Sequence, residues 1–520
     1  MPDQTEEALT AVSTFKYAYS TCLLVFSVTL IMGLIATEQT SLSQGAGPVG
    51  AYFAIWGGII WLTMVEGTQG SLVGLAPVNP ELYKDSHPIA FLCNKVTIKG
   101  ENLNRYLMGR QFMVCMIVFL INISGGPLPN PDGDTPDAIT LWGFGNIIKN
   151  IFFTTGLAMV FLTCMCGQLN SQVNASFCML DYCNNYFAVF TMWFALAVEM
   201  SGLLHSSYLI QMLVVKLSGQ EVKSREAPRT AFQSFFFWFR CLASLAILCF
   251  CFAVTFVALF NGQTTMWEGV PASVALVIFL ILMTIVGMLE GMQIAFFAVA
   301  KIPASERGDS YFAKKTCDLL FKGGGNNLPG FMIGRQLSVV TCMFFVARVT
   351  SVSLEEGEEN IFGVPDALQS LFNTGLLGAL MLTIVGSIAW QLVASAFPIG
   401  FLSSPITYVF LSVCLIFEAT GVCSGAWVIA KIHKVIAGFQ KDEVYIGTAE
   451  ERAMKNMNDD SKRLHTGAGM IAPLPAYQVA APLSLRKLME SNKEVAAFIR
   501  ALSNANIAEG GKGMEGLAPE

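Results

Sequence analysis

Glu66 and Glu290 stand inside long apolar runs, in VEGTQ (65–69) and LEGMQ (289–293). A carboxylate at the centre of a bilayer costs about 2.5–3.5 kcal/mol even on insertion scales, so it normally faces a cavity or a partner and marks an ion or substrate path. In both motifs a Gln follows three residues later, on the same face of a helix: Gln69 and Gln293. The glycine between them, Gly67 or Gly291, lets another backbone or a solute approach closely. Downstream, YLMGRQ (106–111) and FMIGRQ (331–336) place Gly109, Arg110 and Gln111, then Gly334, Arg335 and Gln336. Glu66 precedes Arg110 by 44 residues and Glu290 precedes Arg335 by 45. An amide offers two donors and an acceptor, and a guanidinium five donors. Gln69, Gln293, Gln111 and Gln336 together would form a neutral hydrogen-bonding cage, better suited to an uncharged polyhydroxyl solute than to an anion. The carboxylates suit a hard cation such as sodium, with proton coupling as another option. The competing reading is structural: each Glu pairs with a GRQ arginine and holds helices together.

The correspondence extends along the chain. Asp85-Ser86 matches Asp309-Ser310, Asn102-Leu103 matches Asn327-Leu328, and FFTTGL (152–157) matches LFNTGL (371–376). Gln172 and Gln391 each precede a glutamate, Glu199 or Glu418, by 27 residues. Polar positions at one offset over half a chain are not explained by shared hydrophobicity. The expectation is two five-helix repeats, 17–213 and 233–432, joined by a basic linker at 214–232, the usual build of secondary transporters with midplane sites at the repeat interface. On this basis Gln172, Gln391, Glu199 and Glu418 are ion-site candidates.

These residues need elements to hold them. With 54% hydrophobic and 13% charged residues, the chain is far below the quarter charged of ordinary soluble proteins. Runs of about 20 apolar residues cross a bilayer as helices. Ten are expected, at 17–38, 50–75, 106–124, 146–166, 185–213, 233–260, 271–300, 331–352, 369–396 and 402–432. The fold class is thus an all-α polytopic membrane protein of about ten transmembrane helices. A 1–16 segment lacks a signal peptide's basic start and cleavage site. A soluble tail over 433–520 carries a short amphipathic helix at 484–502. Five spans per repeat require inverted halves. The basic clusters at 84–110, 216–240 and 301–335, with acidic PDGDTPD (131–137) and EEGEE (355–359) between other spans, resist that under positive-inside logic. The polar stretch 167–184 reads as a broken or re-entrant segment lining a cavity.

Most of the 14 cysteines lie in spans without metal-ligand partners, as small interface hydrophobes do. The net charge of −6 points away from nucleic acid. Four histidines and no nucleophile–base pair speak against an enzyme.

The two EGxQ motifs, the two GRQ motifs and CMLD (178–181) together resemble the diatom silicic acid transporters, over about 17–432. The resemblance implies a sodium-coupled, ten-span carrier of orthosilicic acid without a cofactor, in the plasma membrane or an intracellular one, serving silicification. It carries over Glu66, Gly67, Gln69, Gly109, Arg110, Gln111, Glu290, Gly291, Gln293, Gly334, Arg335 and Gln336 as substrate-site residues. It also marks Cys178 as a candidate reactive thiol, and Asp181 as either an ion ligand or a cap for the fifth span. Family members often end in a longer coiled coil than this tail offers, which leaves a homo-oligomer open. A passive channel and a non-transporting sensor for silicic acid or another small neutral polyhydroxyl solute are the rival readings. The implied partners are silicic acid, sodium and the lipid bilayer.

Overall fold

A computed structural model describes residues 11–455, apart from 128–140, 155, 219–225, 227, 265, 267–268, 323–324, 326, 353, 355–358 and 374. The expected amphipathic helix at 484–502, the acidic 131–137 run, most of 355–359 and the middle of the linker lie outside the described residues. The described residues up to Pro303 and Arg307–Lys455 form one compact unit.

The first half of the chain runs through α1 (Ala11–Ala36), α2 (Ser41–Leu75), α3 (Pro88–Thr97) and α4 (Asn102–Gly125). A broken run follows: α5 (Asn146–Lys149), α6 (Leu157–Phe161) and α7 (Asn170–Phe177), with π-helical turns at Asn150–Thr154 and Leu162–Leu169. Then come α8 (Met179–Cys183), α9 (Tyr186–Met200) and α10 (Ser206–Ser218). The second half begins with α11 (Ala231–Phe260), α12 (Ala272–Ala300), α13 (Tyr311–Leu320), α14 (Asn327–Thr350) and α15 (Asp366–Asn373). It continues through α16 (Leu376–Met381), a π-helical Leu382–Ile388, α17 (Ala389–Ala396), α18 (Pro398–Leu402), α19 (Pro405–Ala419), α20 (Gly425–Ala437) and α21 (Glu443–Ile446). Apart from the isolated bridges Thr40–Pro127 and Thr264–Val352, regular structure among the described residues is helical.

Among the described residues, seven helices are long and apolar enough to cross a bilayer: α1, α2, α4, α11, α12, α14 and Leu376–Ala396. The pair Asn146–Phe153 and Leu157–Phe177, bent by 45°, makes an eighth. The stretches expected as single spans at 185–213 and 402–432 are instead each two helices, α9 with α10 and α19 with α20. The breaks centre on Gly202 (φ 79°) and Gly421 (φ 83°), a left-handed backbone that ends a helix cheaply only at glycine. The fourth expected span runs past its predicted end at 166 and takes in the polar stretch as far as Phe177.

Local sequence sets the starts. Thr40 and Thr230 form capping boxes with Ser43 and Gln233 for α2 and α11. Ser310 caps α13 and Asn185 caps α9. Pro48 follows Gly47 (φ 77°) at a kink within α2. Every residue of Val65–Leu75 and of Leu289–Val299 is buried, so the ends of α2 and α12 form the molecule's interior. They meet where Gly70 lies against the Phe297 ring. Outward faces are large and apolar, as at Phe53, Ile60, Phe239, Leu242, Ile281 and Ile416, which suits hydrocarbon rather than water.

Candidate functional site

The end of α2 carries Glu66, and Arg110 reaches it from α4: Nη1 lies 3.2 Å from Glu66 Oε2. Gln172 of α7 donates to the same oxygen at 2.9 Å. Arg110 also donates through Nη2 to Gln111 Oε1. The second half builds the same arrangement from α12, α14 and α17. Arg335 Nη1 is 2.8 Å from Glu290 Oε1, Gln391 donates to Glu290 Oε2 at 2.9 Å, and Arg335 Nη2 donates to Gln336 Oε1 at 2.9 Å. Both ion pairs are buried; Arg110 is 1% exposed and Glu66 4%.

Two further bonds join the sets. Gln391 Nε2 lies 3.3 Å from Gln111 Oε1, and Gln336 Nε2 donates to Gln168 Oε1 at 2.7 Å. Gln168 sits in the π-helical turn, one helical turn before Gln172, and Ser387, which receives a 3.1 Å bond from Gln391, sits in the other. π-turns re-aim side chains and recur at functional sites.

Charge balances within each set, so the centre is neutral. Its hydrogen-bonding capacity is not fully used. Among the described residues, neither amide atom of Gln69 has a hydrogen-bond partner, nor do Gln293 Nε2, Gln172 Oε1, Gln391 Oε1, Arg110 Nε and Arg335 Nε. A buried polar group left unpaired costs about 1–3 kcal/mol, and native proteins tolerate few of them. Other unpaired atoms are scattered through the described residues, as at Trp56, Tyr106 and Thr255, but those of the centre occur in both halves at corresponding residues and comprise donors and acceptors together.

The motif glycines have packing partners. A Cβ on Gly109 would stand 1.7 Å from the carbonyl oxygen of Ala195 in α9, and one on Gly334 1.7 Å from that of Cys414 in α19. These glycines bring α4 and α14 against their neighbours and so fix the arginines beside them. Gly67 lies under the Tyr182 ring and Gly291 under the Phe401 ring.

The other sequence candidates lie elsewhere. Glu199 Oε1 is 2.8 Å from His205 Nε2, across the break between α9 and α10. Glu418 accepts a long 3.4 Å bond from Trp427 Nε1. Asp181 neither caps α9, which Asn185 does, nor reaches the centre. It faces His87 Nε2 at 2.9 Å and accepts from the Gln440 backbone at 2.6 Å. Cys178 is wholly buried at the break between α7 and α8. Asn184, next to Asp181, accepts from the Ile89 and Ala90 backbone at the start of α3. Sequence reasoning missed Gln168, Tyr182 and Phe401. Gln168 precedes Gln172 by one helical turn, and Tyr182 and Phe401 keep the Gln172-to-Gln391 interval; both signals were there to be read.

Beyond α20 the chain does not leave the membrane unit at 433. The helix continues to Ala437, and the following segment folds back. Buried Asp442 accepts from the Leu180 backbone at 2.9 Å and lies 3.1 Å from Lys301, which is also 2.7 Å from Glu443. Burial pushes the Asp442 carboxyl above its usual range despite Lys301. Burial also opposes the Lys301 charge, but Asp442 and Glu443 outweigh it and raise the ammonium above the ordinary lysine value.

Helices able to span a bilayer, wrapped round a neutral, buried centre with spare hydrogen-bonding capacity, define a polytopic helical membrane protein. Residues 8–510 match the pattern of the silicon transporter family, and the chain belongs to that family. Among curated proteins and solved structures, nothing matches the chain.

Proposed function

We propose that this protein takes up orthosilicic acid across the plasma membrane, coupled to sodium, by alternating access between two inverted, pseudo-symmetric five-span repeats over 17–213 and 233–432. The observation carrying the substrate assignment is the set of unpaired amide atoms at the buried centre: both of Gln69, Nε2 of Gln293, and Oε1 of Gln172 and Gln391. Silicic acid is tetrahedral and neutral at physiological pH, and its hydroxyls both donate and accept, so it complements such a set. Family membership supports the same substrate.

The repeat reading draws support from local devices that occur twice. α4 and α14 are each 24 residues long, and α9 and α19 are each 15. Trp142 (φ 49°) and Phe362 (φ 59°) occupy matching short turns, as Gly156 and Gly375 occupy matching left-handed caps. The split pairs α9–α10 and α19–α20 would complete five crossings in each half.

Uptake against a gradient needs a coupled ion, since membrane potential does no work on a neutral solute, and the proposal takes that ion to be sodium rather than a proton. Uptake into proteoliposomes should rise steeply with an inward sodium gradient. Uptake indifferent to sodium would instead identify a passive channel. One observation favours that second reading: Glu66 and Glu290 are each already neutralised by an arginine. Binding without flux would identify a sensor.

A further inference from the structure

Beside α2 and the Leu162–Phe177 run lies a cavity of about 470 Å³, within the range of ligand pockets. Its lining is divided between polar groups, Thr63, Asn170, Tyr182, Asn185 and His433, and apolar ones, among them Trp56, Phe439 and the outward-facing Ile60. Cys166 lines it too. Thr63 is one helical turn before Glu66, and Asn170 is two residues before Gln172, so the cavity borders the helices that build the amide centre. Tyr182 forms the wall between them. It is 2% exposed, and its hydroxyl donates to the Thr63 carbonyl at 2.8 Å. Its ring covers Gly67 so closely that a Cβ there would stand 2.2 Å from a ring carbon. Only a glycine between Glu66 and Gln69 admits that ring.

The second half repeats the device: Phe401 covers Gly291, with a Cβ there 2.7 Å from its ring. Tyr182 and Phe401 are separated by 219 residues, as are Gln172 and Gln391.

We infer that the cavity is the aqueous path by which a small uncharged polyhydroxyl solute reaches the amide centre, and that Tyr182 closes it, with Phe401 the corresponding closure in the second half. The identity of the solute rests on the silicic acid reading; the course of the path does not. The ring is held by the hydroxyl-to-carbonyl bond and by packing on His433 and Phe439, so a rotamer change that opens the barrier has to move those rings with it. Phe401, without a hydroxyl, lacks that bond, so the two closures differ in strength.

The test uses the full-length protein in lipid nanodiscs, with both faces open to a charged methanethiosulfonate reagent and labelling read by peptide mass spectrometry. Ser171→Cys places a thiol at a fully buried position that adjoins Tyr182. Cys166 should label in every variant. Ser171→Cys should label about tenfold faster with Tyr182→Ala than with Tyr182 or Tyr182→Phe, as removal of a gating side chain requires. Equal labelling in all three overturns the gate. Labelling of Cys166 by a lipid-soluble maleimide alone overturns the path, because the cavity then holds lipid. In proteoliposomes with a sodium gradient, Tyr182→Ala should lose accumulation of silicic acid and keep downhill exchange; loss of both, or of neither, also overturns the gate. Expected labelling in a protein that moves no silicic acid supports the path and removes the carrier reading instead.

Discussion

Gln69 and Glu66 share a helix face and have opposite circumstances. Among the described residues Gln69 has no hydrogen-bond partner, so Gln69→Ala removes no internal hydrogen bond; the packing lost from this buried side chain is offset in part by removal of an unpaired amide, and the unfolding temperature should change little. It deletes one or two bonds to the solute, each worth about 0.5–1.5 kcal/mol. The apparent affinity for silicic acid should fall about three- to tenfold, and Gln293→Ala should behave alike; uptake against concentration checks both, and unchanged affinity would remove these amides from the site. Glu66→Gln leaves the Arg110 charge buried without its counterion, a loss of about 3–5 kcal/mol in stability. Thermal unfolding in detergent should show that loss, with partial recovery in the Glu66→Gln, Arg110→Gln double variant. A sodium dependence unaltered in Glu66→Gln would assign this carboxylate wholly to the arginine. The Glu–Arg partnership was legible in the sequence as one of two readings, because both pairs keep nearly the same spacing. The Gln168–Gln336 bond was not, since it joins side chains 168 residues apart through a π-turn that no periodicity announces.

The elements hold together by close approach. Gly109→Ala and Gly334→Ala each drive a methyl group into a neighbouring helix's carbonyl and should cost about 1–3 kcal/mol of stability. Gly57, with open space around its Cα, is the control: alanine there should be neutral or stabilising by up to about 1 kcal/mol. The fraction of protein surviving a heat step before size-exclusion chromatography distinguishes the two outcomes. Most long helices fell where apolar runs lay, since burying or facing lipid asks the same composition of them. The breaks at Gly202 and Gly421 were hidden, because a glycine within an apolar run is as common in unbroken membrane helices. The polar 167–184 stretch was readable as unsuited to lipid. That it would continue a span, packed largely against protein, depends on partners far away in the chain.

Over the whole molecule, the segment after α20 ties the end of α12 to the start of α8 through Lys301, Asp442 and the Leu180 backbone. Asp442→Ala leaves Lys301 with Glu443 alone and uncaps α8, and should release residues 438–455 to limited proteolysis that the native protein resists. Glu443→Gln should do so only weakly, because that side chain is half-exposed. The sequence placed the membrane boundary at 432 because charge rises there; it could not reveal that one of those charges is buried. The bonds from Gln391 to Gln111 and from Gln336 to Gln168 are the polar stitches between the two halves of the chain at its centre. The proposed rocking of one half against the other has to undo them where the side chains are buried. A solute whose hydroxyls take over those amides removes that penalty as it binds. On the proposed alternating-access mechanism, an empty molecule is therefore stiffer than a loaded one, and cargo acts as the lubricant of its own passage.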